Sequence, residues 1–130
     1  MQPATDAKTV AGNALGMVAG PPYYMSPEHW LGKNIDARSD IYSLGVAYYF
    51  ILTGHKPFVA ADTIQLMQMH AKTTPVSPKT YVDSLSDGIC AVILKMLAKK
   101  PPMRYQTAEE LVKDLERIKS GLEPLASKAL

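Results

Sequence analysis

The segment from Ile41 to Leu52 is apolar on nearly every side, and this feature restricts what the chain can fold into. Ser39 and Asp40 precede the segment and are good N-caps, while Gly54 and Pro57 follow it and are expected to end the helix. A surface helix would carry a polar stripe, which this segment almost lacks. We therefore expect this helix to lie in the middle of a helical domain, contacted on several sides.

Further helices are predicted on both sides of this central segment. Their expected starts are a proline at the first turn and three polar N-caps: Pro27, Asp62, Ser86 and Thr107. Thr107 and Glu110 have the spacing of a capping box. The last helix is expected to bury one face and to end at Gly121, and its buried residues would be Leu111, Leu115, Ile118 and Leu122.

The rest of the chain lacks helical periodicity. Residues 1–19 show no hydrophobic period and indicate a flexible loop, while three prolines between Gly20 and Glu28 are expected to prevent a regular helix. Residues 123–130 are expected to form a frayed tail. The sequence therefore predicts an all-α domain over residues 20–121, preceded by a loop at 1–19 and followed by a tail at 122–130.

Composition excludes several classes of protein. The 130 residues carry a net charge of only +2, which gives no reason to expect binding to nucleic acid or to a membrane surface. The longest apolar run, Leu44 to Leu52, is too short to cross a bilayer, and the N-terminus lacks the basic segment of a signal peptide. Cys90 is the single cysteine and is expected to be buried and inert. We expect a cytoplasmic protein without a metal site, since the three histidines are scattered: His29, His55 and His70.

Four sequence features, in this order and at these distances, resemble the protein kinase family. Met25-Ser26-Pro27-Glu28 looks like the Ala-Pro-Glu motif that closes the activation segment. Ser39 to Gly45 resembles the start of the family's central helix, and Thr53 to Phe58 resembles the loop that follows it. Arg104 occupies the place of an arginine that pairs with the glutamate. The residues of these motifs are most similar to those of bacterial serine/threonine kinases of the eukaryotic-like kind. The resemblance implies that the chain forms the second half of their helical lobe.

The resemblance implies a peptide-binding loop and a structural ion pair. The loop would comprise Gly20, Pro21, Tyr23 and Tyr24, although Pro21 stands where the family has a threonine whose hydroxyl contacts the catalytic aspartate. Glu28 and Arg104 would form a buried or half-buried bidentate pair that fastens this loop to the helical body, whereas without the resemblance they would be two unrelated surface charges.

Four more residues take roles from the resemblance. Asp40 would hold backbone amides of the catalytic loop, or serve only as an N-cap, and with Gly45 it would anchor the central helix. Thr5 and Thr9 lie where activation-segment phosphorylation sites occur, and an unmodified flexible loop is the alternative.

The family transfers the γ-phosphate of ATP, with magnesium, to serine or threonine of proteins, and it needs motifs that these 130 residues do not contain. They include no Gly-x-Gly-x-x-Gly, Val-Ala-Ile-Lys, His-Arg-Asp or Asp-Phe-Gly. The chain is therefore expected to bind no cofactor and to be inactive alone, as a truncated kinase or pseudoenzyme.

Two alternatives to a kinase piece stay open: a non-catalytic kinase-like module that binds a protein or peptide, and a plain helical domain. A partner could be the missing N-terminal part of the kinase. If nothing covers the central helix, we expect marginal stability and self-association through its apolar side chains.

Overall fold

The computed structural model describes residues 20–129, so Thr5, Thr9 and the rest of the predicted loop lie outside the described residues. Between residues 20 and 129 the regular structure is helical, without strands, which confirms the all-α fold class. None of these helices is both long and apolar enough to cross a membrane. The α-helices are α1 (Gly20–Tyr24), α2 (Pro27–Leu31), α3 (Ala37–Thr53), α4 (Thr63–Lys72), α5 (Asp87–Met96) and α6 (Ala108–Lys119). Short 3₁₀ helices span Pro78–Thr80, Pro101–Met103 and Leu125–Ala129.

The prolines near residue 20 do not prevent a helix, and that prediction is wrong. α1 contains Pro21 and Pro22 in its first turn. The amides of a first turn have no acceptor within the helix, so proline costs no hydrogen bond there. Pro27 begins α2, as predicted.

The central helix α3 begins earlier than predicted because its cap is Asp36. The Asp36 side chain accepts a hydrogen bond from the Arg38 amide at 2.8 Å, and Ser39 is the third helical residue of a capping box rather than the cap. The prediction that Ser39 or Asp40 is the N-cap is therefore wrong. The first turn of α3 is polar, so hydrophobic periodicity did not show where the helix begins. The helix ends at Gly54 with a φ of 74°, as predicted. Asp62 and Ser86 cap α4 and α5 as predicted.

The core forms where α3 crosses α5. Gly45 permits this approach, because a Cβ atom at that position would lie 2.8 Å from the Cβ of Met96. Cys90 of α5 is buried, as expected. The side chains of α3 that fill this core are Ile41, Tyr42, Val46 and Tyr49, whereas Phe50 is partly exposed.

Burial of α3 is one-sided in the described part of the chain. Leu44 and Leu52 are exposed, and Ile51 keeps 73% of its surface accessible. Beside them lies an apolar groove of about 310 Å³ whose walls are Tyr48, Ile51, Leu52, Ile89, Val92, Ile93 and Leu115. We call Leu44, Ile51 and Leu52 the uncovered face of α3.

The C-terminal residues are packed, so the prediction of a frayed tail is wrong. The buried carboxylate of Asp114 accepts hydrogen bonds from the amides of Leu125 at 2.7 Å and Ala126 at 3.1 Å. It also accepts one from the Tyr105 hydroxyl at 2.6 Å. Together these bonds hold the last 3₁₀ helix against α5, which sequence periodicity could not show because the contacts are made by backbone amides.

Two details of α6 also differ from expectation. Thr107 is its N-cap, but Glu110 accepts its hydrogen bond from the amide of Gln106 rather than of Thr107. Leu122 is exposed, because α6 ends at Lys119 and the chain turns at Gly121 with a φ of 81°.

Candidate peptide-docking site and its buried anchor

The short helix α2 aims Glu28 into the protein. Ser26 caps the helix, with its hydroxyl accepting from the His29 amide at 3.2 Å, and the Ser26 amide donates to Nδ1 of His29 at 3.2 Å. Gly32 ends the helix with a φ of 72° and donates to the Glu28 carbonyl. A helix this short has little stability of its own, so its two caps and its buried contacts decide its position.

Glu28 and Arg104 form a bidentate ion pair in the interior. Nη1 and Nη2 of Arg104 lie 2.6 and 2.9 Å from the two carboxylate oxygens of Glu28. Arg104 is only 2% exposed and Glu28 6%. Ser39 of α3 donates a further hydrogen bond to the carboxylate at 2.6 Å. The pair therefore joins α2 to the central helix and to the segment before α6.

The remaining donors of Arg104 bind backbone carbonyls. Nε donates to Ala98 at 2.7 Å, Nη1 to Arg38 at 3.1 Å and Nη2 to Lys99 at 3.2 Å. Its guanidinium carbon also lies 4.9 Å from the centre of the Tyr42 ring. This planar side chain satisfies its donors without water, which a lysine could not do at the same place.

The ion pair keeps Glu28 charged. Burial by itself would raise the pKa of this carboxyl, but hydrogen bonds from Arg104 and Ser39 outweigh burial and lower the pKa to about 2. Glu28 is therefore a carboxylate at neutral pH, with a structural role.

The residues of the predicted peptide loop contact α3 and the segment that follows it. Gly20 and Pro21 lie in α1, and the carbonyl of Tyr24 accepts a hydrogen bond of 2.6 Å from the Ser43 hydroxyl. The ammonium of Lys56 lies 4.9 Å from the centre of the Tyr23 ring, a cation–π contact. Sequence reasoning missed Ser43 and Lys56, although Ser43 lies inside the motif that carried the resemblance.

The two residues predicted to anchor the central helix lie on different sides of it. Gly45 faces α5, as its close approach to Met96 shows. Asp40 is exposed and shares a helix face with Leu44 and Ile51, at i, i+4 and i+11. The Asp40 carboxylate therefore belongs to the uncovered side of α3.

A buried histidine that sequence reasoning did not select lies beneath this site. His70 of α4 is fully buried, and its Nδ1 lies 2.7 Å from the hydroxyl of Tyr42. Phe58 and Trp30 pack on the ring at centroid distances of 5.0 and 6.2 Å. Burial, with a smaller contribution from the nearby charge of Lys99, lowers the pKa of His70 to about 4, so its ring is neutral at pH 7.

The comparisons with known proteins identify the family of the chain. The chain matches the protein kinase domain family over residues 6–115. It is 44% identical to the serine/threonine-protein kinase PknB of Mycobacterium leprae over 113 residues, which are 87% of this chain and 18% of that protein. It is 42% identical to PknB of Mycobacterium tuberculosis over 123 residues, which are 92% of this chain and 20% of that protein.

A probable serine/threonine-protein kinase of Corynebacterium efficiens is 36% identical over 130 residues, or 97% of this chain and 20% of that protein. The chain thus spans about a fifth of the length of the curated relatives it matches. The family match covers more than half of the chain and includes Glu28 and Arg104. The chain belongs to the protein kinase domain family.

Proposed function

We propose that this chain supplies the C-terminal part of the catalytic domain of a serine/threonine protein kinase. It would carry the predicted peptide loop in α1, which we call the docking loop, and the helices that support it. Phosphate transfer would require the segment with the nucleotide-binding and catalytic motifs. The observation that carries this proposal is the one-sided burial of α3, whose other side combines exposed apolar residues with Asp40.

The uncovered face of α3 supports the need for a second segment. Burying one large aliphatic side chain contributes about 1.5–3 kcal/mol, so packing against this face would be strongly favourable. Large apolar patches on a soluble domain generally mark a surface that another segment covers. Asp40 on the same side is placed to accept hydrogen bonds from that segment's backbone, as the family resemblance implies.

The docking loop supports a protein substrate. Its backbone is bound by the Ser43 hydroxyl, and the helix that follows it is held by the buried ion pair, so Tyr23 and Tyr24 have a defined position beside α3. The names of the relatives, serine/threonine-protein kinases, support serine or threonine as the acceptor. ATP and magnesium would be bound by the complementary segment, since the phosphate-binding and metal-binding motifs are not among these 130 residues.

The test is complementation. The chain is mixed or co-expressed with a fragment of a related kinase that carries the glycine-rich loop, the strand lysine, the catalytic loop and Asp-Phe-Gly. We expect no magnesium-ATP binding by calorimetry and no phosphate transfer to protein from the chain alone, and both from the mixture. Ile51→Glu should abolish complementation, whereas Ile64→Glu, an equally charged change at an exposed residue of α4, should not. Phosphate transfer by the chain alone would contradict the proposal.

A second candidate function is a non-catalytic module that binds a protein through the docking loop and α4. The exposed Ile64 of α4, with the exposed Val59 just before that helix, favours it. This function predicts that the purified chain is monomeric and stably folded and that the complementing fragment restores no activity. Ile64→Glu would then weaken partner binding, and Ile51→Glu would not.

A further inference from the structure

Helix α4 is connected to the ion pair by buried polar contacts along two routes. On the first route, His70 meets the Tyr42 hydroxyl, and the face of the Tyr42 ring lies against the guanidinium of Arg104. On the second, the ammonium of Lys99 donates to the carbonyl of Met69 at 3.0 Å, while the carbonyl of Lys99 accepts from Arg104. Both routes end at Arg104. This residue binds Glu28 of α2, the helix that follows the docking loop in the chain.

The contact of α4 with α2 contains two buried nitrogen atoms that lack a well-aligned partner. Among the buried side-chain nitrogen and oxygen atoms of the described residues, these are Nε1 of the partly buried Trp30 and Nε2 of His70, although the backbone of Tyr23 also lies near the His70 ring. Their rings are neighbours, 6.2 Å apart between centroids. A buried polar atom without a partner costs free energy, so the docked position of α4 is less stable than its apolar burial alone would make it.

We propose that α4, α2 and the docking loop form one cooperative unit, coupled through the Tyr42–His70 hydrogen bond, that opens more readily than the α3–α5 core. Opening of α4 would then change the position of the loop and weaken substrate docking, a consequence that rests on the function proposed above. The polar groups that face His70 are the Tyr42 hydroxyl from α3, the Lys99 ammonium from the segment after α5 and the backbone of Tyr23 in α1. Trp30 from α2 and Phe58 from the loop before α4 complete its surroundings.

Native-state hydrogen exchange of the 130-residue chain tests this proposal, with Tyr42→Phe as the variant. The change keeps the ring and removes only the hydroxyl. The reporters are the amides of Trp30 and Gly32 in and after α2, and those of Leu66 and Thr73 at the two ends of α4. All four should exchange about tenfold faster, the factor that corresponds to one buried hydrogen bond, and amides within α5 should change less.

Tyr49→Phe is a matched control on the same helix. Tyr49 is also fully buried, and its hydroxyl donates a 2.7 Å hydrogen bond to the carbonyl of Val76, away from α2. This variant should leave the Trp30 and Gly32 amides unchanged. Faster exchange in α4 alone after Tyr42→Phe would overturn the proposal, because α2 would then be uncoupled. An equal increase throughout the protein would also overturn it.

A second variant keeps the test decisive if Tyr42→Phe prevents folding. Trp30→Phe changes the contact of α2 with α4 and leaves Tyr42 in place, so exchange of the amides in α2 and α4 should change in the same direction and by a similar factor. A change confined to α2 would contradict coupling. Neither measurement depends on catalysis, so failure here leaves the kinase proposal standing, and failure of complementation leaves the exchange result readable.

Discussion

The two sides of helix α3 are both apolar in sequence, yet they differ completely in the fold. One side meets α5 through Gly45 and buries Tyr42 and Tyr49, whose hydroxyl groups have hydrogen-bond partners. The other side exposes Leu44 and Ile51. Hydrophobicity thus identifies a helix that needs partners on all sides, whereas polar contacts show which partners the described residues provide.

This difference distinguishes the contacts that stabilise the domain from the apolar surface that the described residues leave uncovered. The packed side is fixed by directional contacts that converge on Arg104, so removal of single groups should be costly there. Ile51, the most exposed residue of the uncovered face, contributes little to folding of this chain, because its side chain is largely exposed in both the folded and the unfolded state. Four predictions test this contrast, in order of decreasing effect on stability.

Arg104→Leu should have the largest effect on the packed side. The change leaves Glu28 buried without its cation, which typically costs ~3–5 kcal/mol of unfolding free energy. Denaturant unfolding followed by circular dichroism measures the loss. Lys79→Leu, which removes an exposed ion pair with Asp87, is the control and should leave the unfolding midpoint nearly unchanged. Similar losses of unfolding free energy for the two variants would show that the Glu28–Arg104 pair stabilises the domain no more than an exposed ion pair does.

Acid should destabilise the packed side in two stages. His70 has a pKa of about 4 when folded and an ordinary value of 6.5 when unfolded. The unfolded state therefore binds the proton first, and stability falls from pH 6.5 to pH 4, by about 3 kcal/mol in total. Glu28, with a folded pKa of about 2 against 4.5, adds a second loss from pH 4.5 downward.

Unfolding midpoints measured between pH 7 and pH 3 test these two stages. His70→Leu should flatten the upper stage and His55→Gln, at an exposed position, should not. An unchanged upper stage in His70→Leu would assign the acid sensitivity to other groups.

The sequence could predict the fold class and several caps, but not which polar groups meet in the interior. Periodicity located α5, because it depends only on local spacing. The resemblance to kinases paired Glu28 with Arg104, which lie far apart in the chain. The hydroxyl contacts of Tyr42 and Ser43 depend on how helices cross, and no local pattern encodes them. The Asp114 contacts were missed for the same reason, since their donors include backbone amides.

Gly45→Ala tests the closest approach on the packed side. The new Cβ would lie 2.8 Å from the Cβ of Met96 and 3.2 Å from a methyl group of Leu97, so α3 and α5 must separate. Such overpacking costs about 1–3 kcal/mol, offset by up to ~1 kcal/mol because alanine favours a helix more than glycine does. Thermal unfolding should therefore show a modest net loss. A stabilised variant would mean that the two helices separate without cost.

Ile51→Glu should have the smallest effect on stability and the clearest effect on association. Ile51 is exposed, so its replacement should change the unfolding free energy by no more than about 0.5 kcal/mol. If the uncovered face drives self-association, the added charge should lower the average mass measured by light scattering at high concentration. Ile64→Glu adds the same charge on α4 and serves as the control. An equal reduction by both variants would attribute association to net charge rather than to this face. A reduction by Ile64→Glu alone would instead place the self-association contact on α4.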